Sequence, residues 1–297
     1  MIQQMTRRCL LLTAAVGGAL PARAQVSTAT HDPAQAQPAL EALEAKNGGR
    51  LGVVALDTAS ERRIDYRADE RFAMCSTHKF LTAAAILAMV DAGHMELDRR
   101  TAYGQADLLE YAPIARKNLG AGFMTVDALC AAAIEWSDNT ADNLLLGLIG
   151  GPEGWTRYVR SIGDSVSRLD RTEPTLNTAI PGDPRDTTTP DAMVRNLNAI
   201  LLGSALSEAS RTRLKDWMFA SAITDTLLRA GLPKGWRVGD KSGSGDHGTR
   251  NDVGMILPPD GAPILAAVFY TESTAPFASR EKVIADAGRL IAESFSA

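Results

Sequence analysis

The spacing of hydrophobic residues changes along the chain and divides it into parts. Residues 50–58 ("RLGVVALDT") and a stretch that ends near Tyr66 have the β-branched, apolar composition of strands. Between about residues 75 and 230, apolar residues recur at helical spacing. The helices predicted there span residues 81–92, 125–135, 138–149, 153–162, 190–202 and 207–219.

The strand pattern returns after about residue 235. Turn signals separate three further predicted strands, which span residues 236–244, 251–259 and 263–271. Helices are predicted near both ends of the chain, over 39–47 and 279–295. Because the strands lie at both ends and the helices between them, the sequence predicts an α+β fold. Its antiparallel β-sheet would be flanked by the terminal helices, with an all-helical lobe inserted.

The same pattern predicts two domains. Residues 25–70 and 231–297 would form an α/β sheet domain, and residues 71–230 would form a helical domain. The helical domain contains a loop over 171–190 that is rich in Pro, Gly, Thr and Asp. Loops of this length inside compact domains are usually functional.

The first 24 residues have the composition of a secretory signal peptide. Arg7 and Arg8 precede a short apolar run and an A-x-A cleavage site at Ala22-Arg23-Ala24. The paired arginines favour Tat export in the folded state, with an ordinary Sec signal as the alternative. We expect a periplasmic or secreted protein without a membrane anchor, because no later segment has the pattern of a transmembrane helix.

Composition and charge narrow the range of functions. The formal net charge is −4 and there is no basic block, which argues against nucleic acid as a partner. The four histidines are scattered without metal-binding spacing, so a zinc site is not expected. No metal or organic cofactor is implied. Cys75 and Cys130 could form a disulfide in an oxidising compartment, or could stay as buried thiols in their apolar helical contexts.

A serine and a lysine stand where the first long apolar helix begins, in "MCSTHKFL" (74–81). On a helix, their spacing puts Ser76 and Lys79 on one face, near the positive end of the helix dipole. That environment favours an ionised serine and an uncharged lysine, which together make an activated nucleophile. Alone, the S-x-x-K pattern is common by chance.

Three further motifs each have an ordinary structural interpretation. "SDNT" (137–140) has the residues of a helix N-cap. "KSGSG" (241–245) is typical of a strand at a sheet edge with a solvated lysine, and "RTEPTLN" (171–177) of a polar loop with a solvated glutamate. In this order, however, S-x-x-K, S-D-N and K-[ST]-G form the set known from class A β-lactamases and penicillin-binding proteins.

On these motifs, the sequence resembles the class A serine β-lactamases over nearly the whole mature chain. The R-x-E-P-x-L-N element separates that family from the related transpeptidases. The resemblance implies that Ser76 attacks the lactam carbonyl and that Lys79, or Glu173 through a water molecule, takes its proton. Ser137 would protonate the leaving nitrogen, and Glu173 with Asn177 would bind the water that hydrolyses the acyl-enzyme.

The resemblance also implies the substrate contacts. Lys241, Ser242 and Arg250 would bind the carboxylate of the substrate, and Asn139 would bind its side-chain amide and help to orient Lys79. K-S-G replaces the commoner K-T-G but keeps the hydroxyl, so the contact with the carboxylate should survive.

Further positions bear on the oxyanion hole and on substrate range. Backbone N–H groups of Ser76 and Ser244 would form the oxyanion hole. Tyr111 would line the cleft entrance, unless it is an ordinary surface aromatic. Ser244 and Asp246 resemble the residues found in the family branch that is active on oxyimino-cephalosporins such as cefotaxime. Arg250 instead resembles the residue found in the penicillin-preferring branch. We therefore expect hydrolysis of penicillins and cephalosporins, with some extended-spectrum activity.

One departure from the family argues against strong hydrolysis of carbapenems. Some relatives that hydrolyse carbapenems have a disulfide between the cysteine before the nucleophile and the position that matches Gly245, and here only Cys75 is a cysteine.

Two other functions share part of the motif set. A D,D-peptidase or transpeptidase is disfavoured by Glu173 and Asn177, and a β-lactam sensor would need a membrane segment or partner domain. The expected protein is a monomeric enzyme that acts on small β-lactams and confers antibiotic resistance.

Overall fold

The computed structural model describes residues 33–296, so the predicted signal peptide (1–24) lies outside the described residues. The described strands are β1 (Arg50–Asp57), β2 (Arg63–Tyr66), β3 (Phe72–Ala73), β4 (Arg100–Ala102), β5 (Phe123–Thr125), β6 (Thr187–Thr188), β7 (Arg237–Gly245), β8 (Thr249–Leu257) and β9 (Ile264–Thr271). Five of them form one antiparallel sheet in the order β2-β1-β9-β8-β7. The first described strand therefore pairs with the last described one, and Arg50 lies opposite Thr271.

Helices cover both faces of this sheet. They are α1 (Pro33–Asn47), α2 (His78–Asp91), α3 (Pro113–Asn118), α4 (Val126–Glu135), α5 (Asn139–Ile149), α6 (Gly151–Ser161), α7 (Pro190–Leu201), α8 (Glu208–Phe219), α9 (Leu228–Gly231) and α10 (Phe277–Phe295). Because successive side chains of a strand point to opposite faces, neighbouring residues of β1 enter different cores. Val53 packs in the core that contains residues of α1 and α10, whereas Val54 packs in the core of the helical lobe.

The helix α2 runs through the middle of the helical lobe. Its residues from His78 to Leu87 are all buried, as expected for a helix that is apolar on nearly every side. The side chain of Trp155 on α6 is also fully buried and donates from its indole N–H to the carbonyl of His78 at 3.3 Å. The start of α2 therefore carries Lys79 into the protein interior.

The predicted fold class is confirmed, and the predicted helices and strands agree closely with the structure. The helix expected over 39–47 begins earlier, at Pro33. Ser76 lies in a 3-10 turn (Cys75–Thr77) that precedes α2, and not within that helix. The division into two domains stays a prediction.

Three smaller points complete the comparison with the sequence. The alternative of a disulfide is wrong, since Cys75 and Cys130 are both free and buried. The short strand pairs β3–β6 and β4–β5 were not predicted, because two or three residues are too few to show a periodic pattern. Among residues 33–296, no helix has the length and apolar character needed to cross a membrane.

Candidate active site

The turn that carries Ser76 is held against the edge strand β7. Cys75 has a φ of 46°, in the left-handed region that non-glycine residues rarely adopt. A β-carbon at Gly243 would lie 2.7 Å from the carbonyl oxygen of Met74, so only glycine fits where the strand passes this turn. Asn251 also donates from its side-chain amide to that carbonyl, at 3.1 Å. Gly243, the glycine of K-S-G, thus allows β7 to contact the turn that carries Ser76.

Ser76, Lys79 and Glu173 meet at one carboxylate oxygen. The Ser76 hydroxyl donates to Glu173 Oε1 at 3.2 Å, and the Lys79 ammonium lies 2.9 Å from the same atom. Lys79 also donates to Asn139 Oδ1 at 2.6 Å and to the Ser137 carbonyl at 2.9 Å. Both charged side chains are buried, and a buried ion pair with further hydrogen bonds is one that the interior tolerates.

The loop holding Glu173 is tied to α5. The Asn143 side chain forms two hydrogen bonds with the Glu173 backbone. Its Nδ2 donates to the Glu173 carbonyl at 2.9 Å, and its Oδ1 accepts from the Glu173 N–H at 3.0 Å. The Asn177 side chain donates to Glu173 Oε2 at 2.5 Å. An ion pair between Arg171 and Asp186 closes the base of the loop. The interpretation of Glu173 as a solvated loop residue is therefore wrong.

Asn143 was not found from the sequence, although a signal existed. It lies four residues after Asn139, so the two residues share one face of α5. The ordinary interpretation of the S-D-N segment is also correct in part, because Asp138 caps this helix by accepting from the Ala141 N–H at 2.9 Å. The motif thus starts the helix and turns its first residues toward Lys79.

Ser137 connects the helical lobe to the strand wall, the side of the cleft formed by β7 and by Arg250 of β8. Its φ is 56°, a second left-handed conformation beside the cleft. The Lys241 ammonium donates to its hydroxyl at 3.0 Å and to the Ser242 carbonyl at 2.7 Å. Lys241 is fully buried, so its interpretation as a solvated lysine is wrong. Burial, and then repulsion by Lys79, lowers the pKa of Lys241 to about 7.

These groups lie at an open cleft of about 390 Å³. The cleft is lined by Ser76, Tyr111, Ser137, Asn139, Asn177, Ile223, Ser242, Gly243, Ser244, Arg250, Phe277 and Glu281. Tyr111 and Phe277 are each 48% exposed, so the surface interpretation of Tyr111 and its place at the cleft both hold. The structure brings the sequence-predicted site residues together. Lys79, Glu173 and Lys241 do not line the cleft themselves, but they form hydrogen bonds with Asn139, Ser76 and Ser137, which do.

Arg250 has a partner that the sequence did not reveal. Its guanidinium Nη2 lies 2.9 Å from Glu281 Oε1, and the guanidinium carbon stacks over the ring of Phe277, 5.1 Å from its centre. The arginine expected to receive a substrate carboxylate therefore already faces a carboxylate from α10. No local pattern could have shown this contact, because the two residues are 31 positions apart.

A serine hydrogen-bonded to a buried carboxylate, with two buried lysines and a second serine beside it, forms a site for serine acyl transfer. The family model described as "Beta-lactamase enzyme family" matches residues 35–295. The chain belongs to this family, and it is an enzyme that hydrolyses β-lactams and confers resistance to them. The resemblance to class A is confirmed.

Named relatives and solved structures agree with this assignment. The chain is 45% identical to β-lactamase Toho-1 of Escherichia coli over 295 residues, which cover 99% of this chain and 100% of that protein. It is 49% identical to β-lactamase CTX-M-97 of Escherichia coli over 259 residues, 87% of this chain and 89% of that protein. The solved structure of the ancestral (GNCA) class A β-lactamase matches with a TM-score of 0.87 and 57% identity, over 88% of this chain and 100% of that one.

Proposed function

We propose that this β-lactamase hydrolyses penicillins and cephalosporins through an acyl-enzyme on Ser76, with Glu173 as the base in both half-reactions. The observation that carries the proposal is the hydrogen bond from the Ser76 hydroxyl to Glu173 at the base of the cleft. A general base must lie within hydrogen-bond reach of the proton it removes, and Glu173 meets this condition directly. Lys79 then acts as the proton carrier beside Glu173.

In acylation, the Ser76 oxygen bonds to the lactam carbonyl carbon while its proton moves to Glu173. The carbon–nitrogen bond breaks, and the nitrogen takes the proton of the Ser137 hydroxyl. Lys79 returns the protons to their starting positions. It gives a proton to Ser137, whose hydroxyl is 3.4 Å away, and takes one from Glu173 at 2.9 Å. Backbone N–H groups of Ser76 and Ser244 stabilise the oxyanion.

In deacylation, Glu173 removes a proton from a water molecule that it binds together with Asn177. The resulting hydroxide attacks the ester carbon and the bond to Ser76 breaks. The serine oxygen takes from Glu173 the proton that came from the water, which restores the carboxylate. The fixed position of the carboxylate supports this role, since Asn143 holds its backbone and Asn177 holds its second oxygen.

The strand wall binds the substrate carboxylate in this proposal. Lys241 supplies positive charge, Ser242 a hydroxyl and Arg250 a guanidinium, and all three are buried beside the cleft or line it. Asn139 binds the side-chain amide with the part of its amide group that faces away from Lys79. Tyr111 forms part of the entrance.

The first experiment combines turnover with intact-protein mass on purified protein mixed with excess benzylpenicillin. Fast loss of substrate without a lasting adduct supports a hydrolase with Glu173 in deacylation. A stable adduct after one equivalent contradicts the proposal and indicates a transpeptidase or sensor. Ser76→Ala is the matched control: it should keep the fold and lose turnover.

Extended-spectrum activity is the finer part of the proposal. Ser244 is exposed at the cleft and Asp246 follows two residues later, as in the cefotaxime-hydrolysing branch that the sequence resembles. Steady-state kinetics should give a measurable specificity constant for cefotaxime. A value thousands of times below that of a simple cephalosporin would rule out this part alone.

We also propose that the enzyme is a monomer exported to the periplasm by residues 1–24. Replacing Arg7 and Arg8 by lysine should block export if the Tat route is used. Unchanged export of this variant would assign the Sec route. Sedimentation of the mature enzyme checks the monomer.

A further inference from the structure

A buried histidine and aspartate lie behind the active site, and the proposed chemistry does not use them. His78 Nε2 lies 2.8 Å from Asp142 Oδ2, and His78 Nδ1 lies 2.7 Å from the carbonyl oxygen of Cys75. Both side chains are fully buried. The pair links the start of α2 to α5, the helix that also carries the partners of Lys79 and Glu173.

The hydrogen bonds restrict the protons on the ring. A carbonyl oxygen only accepts, so Nδ1 must carry a proton. The other oxygen of the aspartate, Asp142 Oδ1, has no hydrogen-bond partner within the described residues. A buried carboxylate in that position requires a compensating charge, and the imidazole is the group in contact with it.

The surrounding charges agree with an ion pair. Burial acts to lower the pKa of His78, but the charge and hydrogen bond of Asp142, and then the charge of Glu173, outweigh burial and raise it, while Lys79 opposes them. Burial acts to raise the pKa of Asp142, but His78 and then Lys79 outweigh it and lower it. Cys75, at the other end of the imidazole, stays a neutral thiol because burial raises its pKa.

We propose that His78 is a positioning residue, held as an imidazolium by Asp142, whose N–H bond to the Cys75 carbonyl fixes the turn that presents Ser76. Cys75 directly precedes the nucleophile and has a left-handed backbone, which the surrounding structure must stabilise. The inference rests on Ser76 being the nucleophile. A metal ion is the rival interpretation, because ligand atoms of His78, Asp142 and Glu173 lie within 4.8 Å of one another. The Lys79 ammonium already pairs with Glu173 there.

The test separates the hydrogen bond from the burial of charge. His78→Phe alone would leave Asp142 uncompensated and is expected to destabilise the fold. Two double variants are informative. His78→Phe/Asp142→Leu removes both polar groups, whereas His78→Asn/Asp142→Asn places at position 78 a side-chain amide that can donate where Nδ1 did. His94→Phe, at an exposed histidine, is the control.

Stopped-flow acylation by a chromogenic cephalosporin is measured on variants whose melting temperatures show that they are folded. We expect the apolar pair to lose acylation rate by roughly 10-fold or more, since misplacing a reacting group by about 1 Å costs up to about 100-fold. The asparagine pair should recover most of that loss. Equal rates in the apolar pair and wild type would overturn the proposal, as would failure of the asparagine pair to exceed the apolar pair.

Three further measurements complete the test. Nitrogen-15 spectra of labelled wild-type protein should show protons on both ring nitrogens of His78 near neutral pH, and a neutral ring would overturn the ion pair. Loss of activity on dialysis against a chelator would favour the metal interpretation and overturn ours. Full activity of Ser76→Ala would sink the proposed function itself, whatever the His78 variants do.

Discussion

The two walls of the cleft each bury one lysine, but they treat its charge differently. On the helical wall, Lys79 lies 2.9 Å from the Glu173 carboxylate. On the strand wall, within the described chain, Lys241 contacts the hydroxyl of Ser137 and the carbonyl of Ser242 and no carboxylate. A paired ammonium can exchange protons with its partner, whereas an ammonium without a counter-ion attracts an anion from solution. The helical wall is thus built for proton transfer and the strand wall for substrate binding.

Removing the carboxylate from the helical wall should have the largest effect. In Glu173→Gln the amide cannot accept the Ser76 proton or activate water, so we expect turnover to fall by about 10³-fold or more. Intact-protein mass should show the acyl-enzyme if deacylation suffers most. Absence of any adduct, with turnover also lost, would show that acylation depends on this carboxylate just as strongly.

The sequence predicted the helices and the motif residues of both walls, but not the contacts between distant parts of the chain. Helices such as α5 and α7 carry apolar residues over three turns, and their bounds were predicted to within one or two residues. The residues of the walls were identified because short motifs keep them near one another in the chain. The contact of Glu281 with Arg250, and that of His78 with Asp142, join residues 31 and 64 positions apart, and only the folded packing reveals them.

Removing the positive charge of the strand wall should lower activity less than the Glu173 substitution does. In Lys241→Ala we expect kcat/KM for benzylpenicillin to fall by about 10²-fold, mainly through KM, since a charge-assisted hydrogen bond to the substrate carboxylate is lost. The exposed Lys117→Ala is the matched control. A fall confined to kcat would contradict the assignment of substrate binding to the strand wall and proton transfer to the helical wall.

The same lysine should set a pH dependence. Burial lowers its pKa to about 7, so the ammonium is present below that pH and is lost as the pH rises through it. We expect kcat/KM for anionic substrates to decline above about pH 7 in the wild type. In Lys241→Arg the decline should move to higher pH, because a guanidinium stays protonated.

Gly245 sets the distance between the strand wall and the loop that holds Glu173. A β-carbon there would lie 2.6 Å from both the Asn177 carbonyl oxygen and the Cys75 sulfur. We expect Gly245→Ala to shift one of them and to lower kcat by roughly 10-fold. Gly147→Ala, where nothing lies within 4 Å of the added carbon, should leave kinetics unchanged. Wild-type kinetics in Gly245→Ala would mean that the loop moves freely.

The smallest effect should come from Glu281 of α10, whose carboxylate pairs with Arg250 of the strand wall. In Glu281→Gln, Arg250 is released toward the cleft, and KM for anionic substrates should fall by about 2- to 5-fold with kcat unchanged. Glu153→Gln, at a surface residue whose side chain is 94% exposed, makes the same charge change elsewhere. A rise in KM would show instead that the ion pair orients Arg250 for substrate.

The pairing of β1 with β9 has a consequence for synthesis of the chain. The ribosome makes Arg50 more than two hundred residues before Thr271, its partner in the sheet. Until β9 emerges, β1 and β2 can form at most a two-stranded hairpin, which is marginally stable in water. Since β7, β8 and β9 all lie beyond residue 236, the wall that completes the cleft is also translated late. Nascent chains should therefore bind and hydrolyse no β-lactam until β9 has emerged, and a premature stop before β9 would yield an inert product.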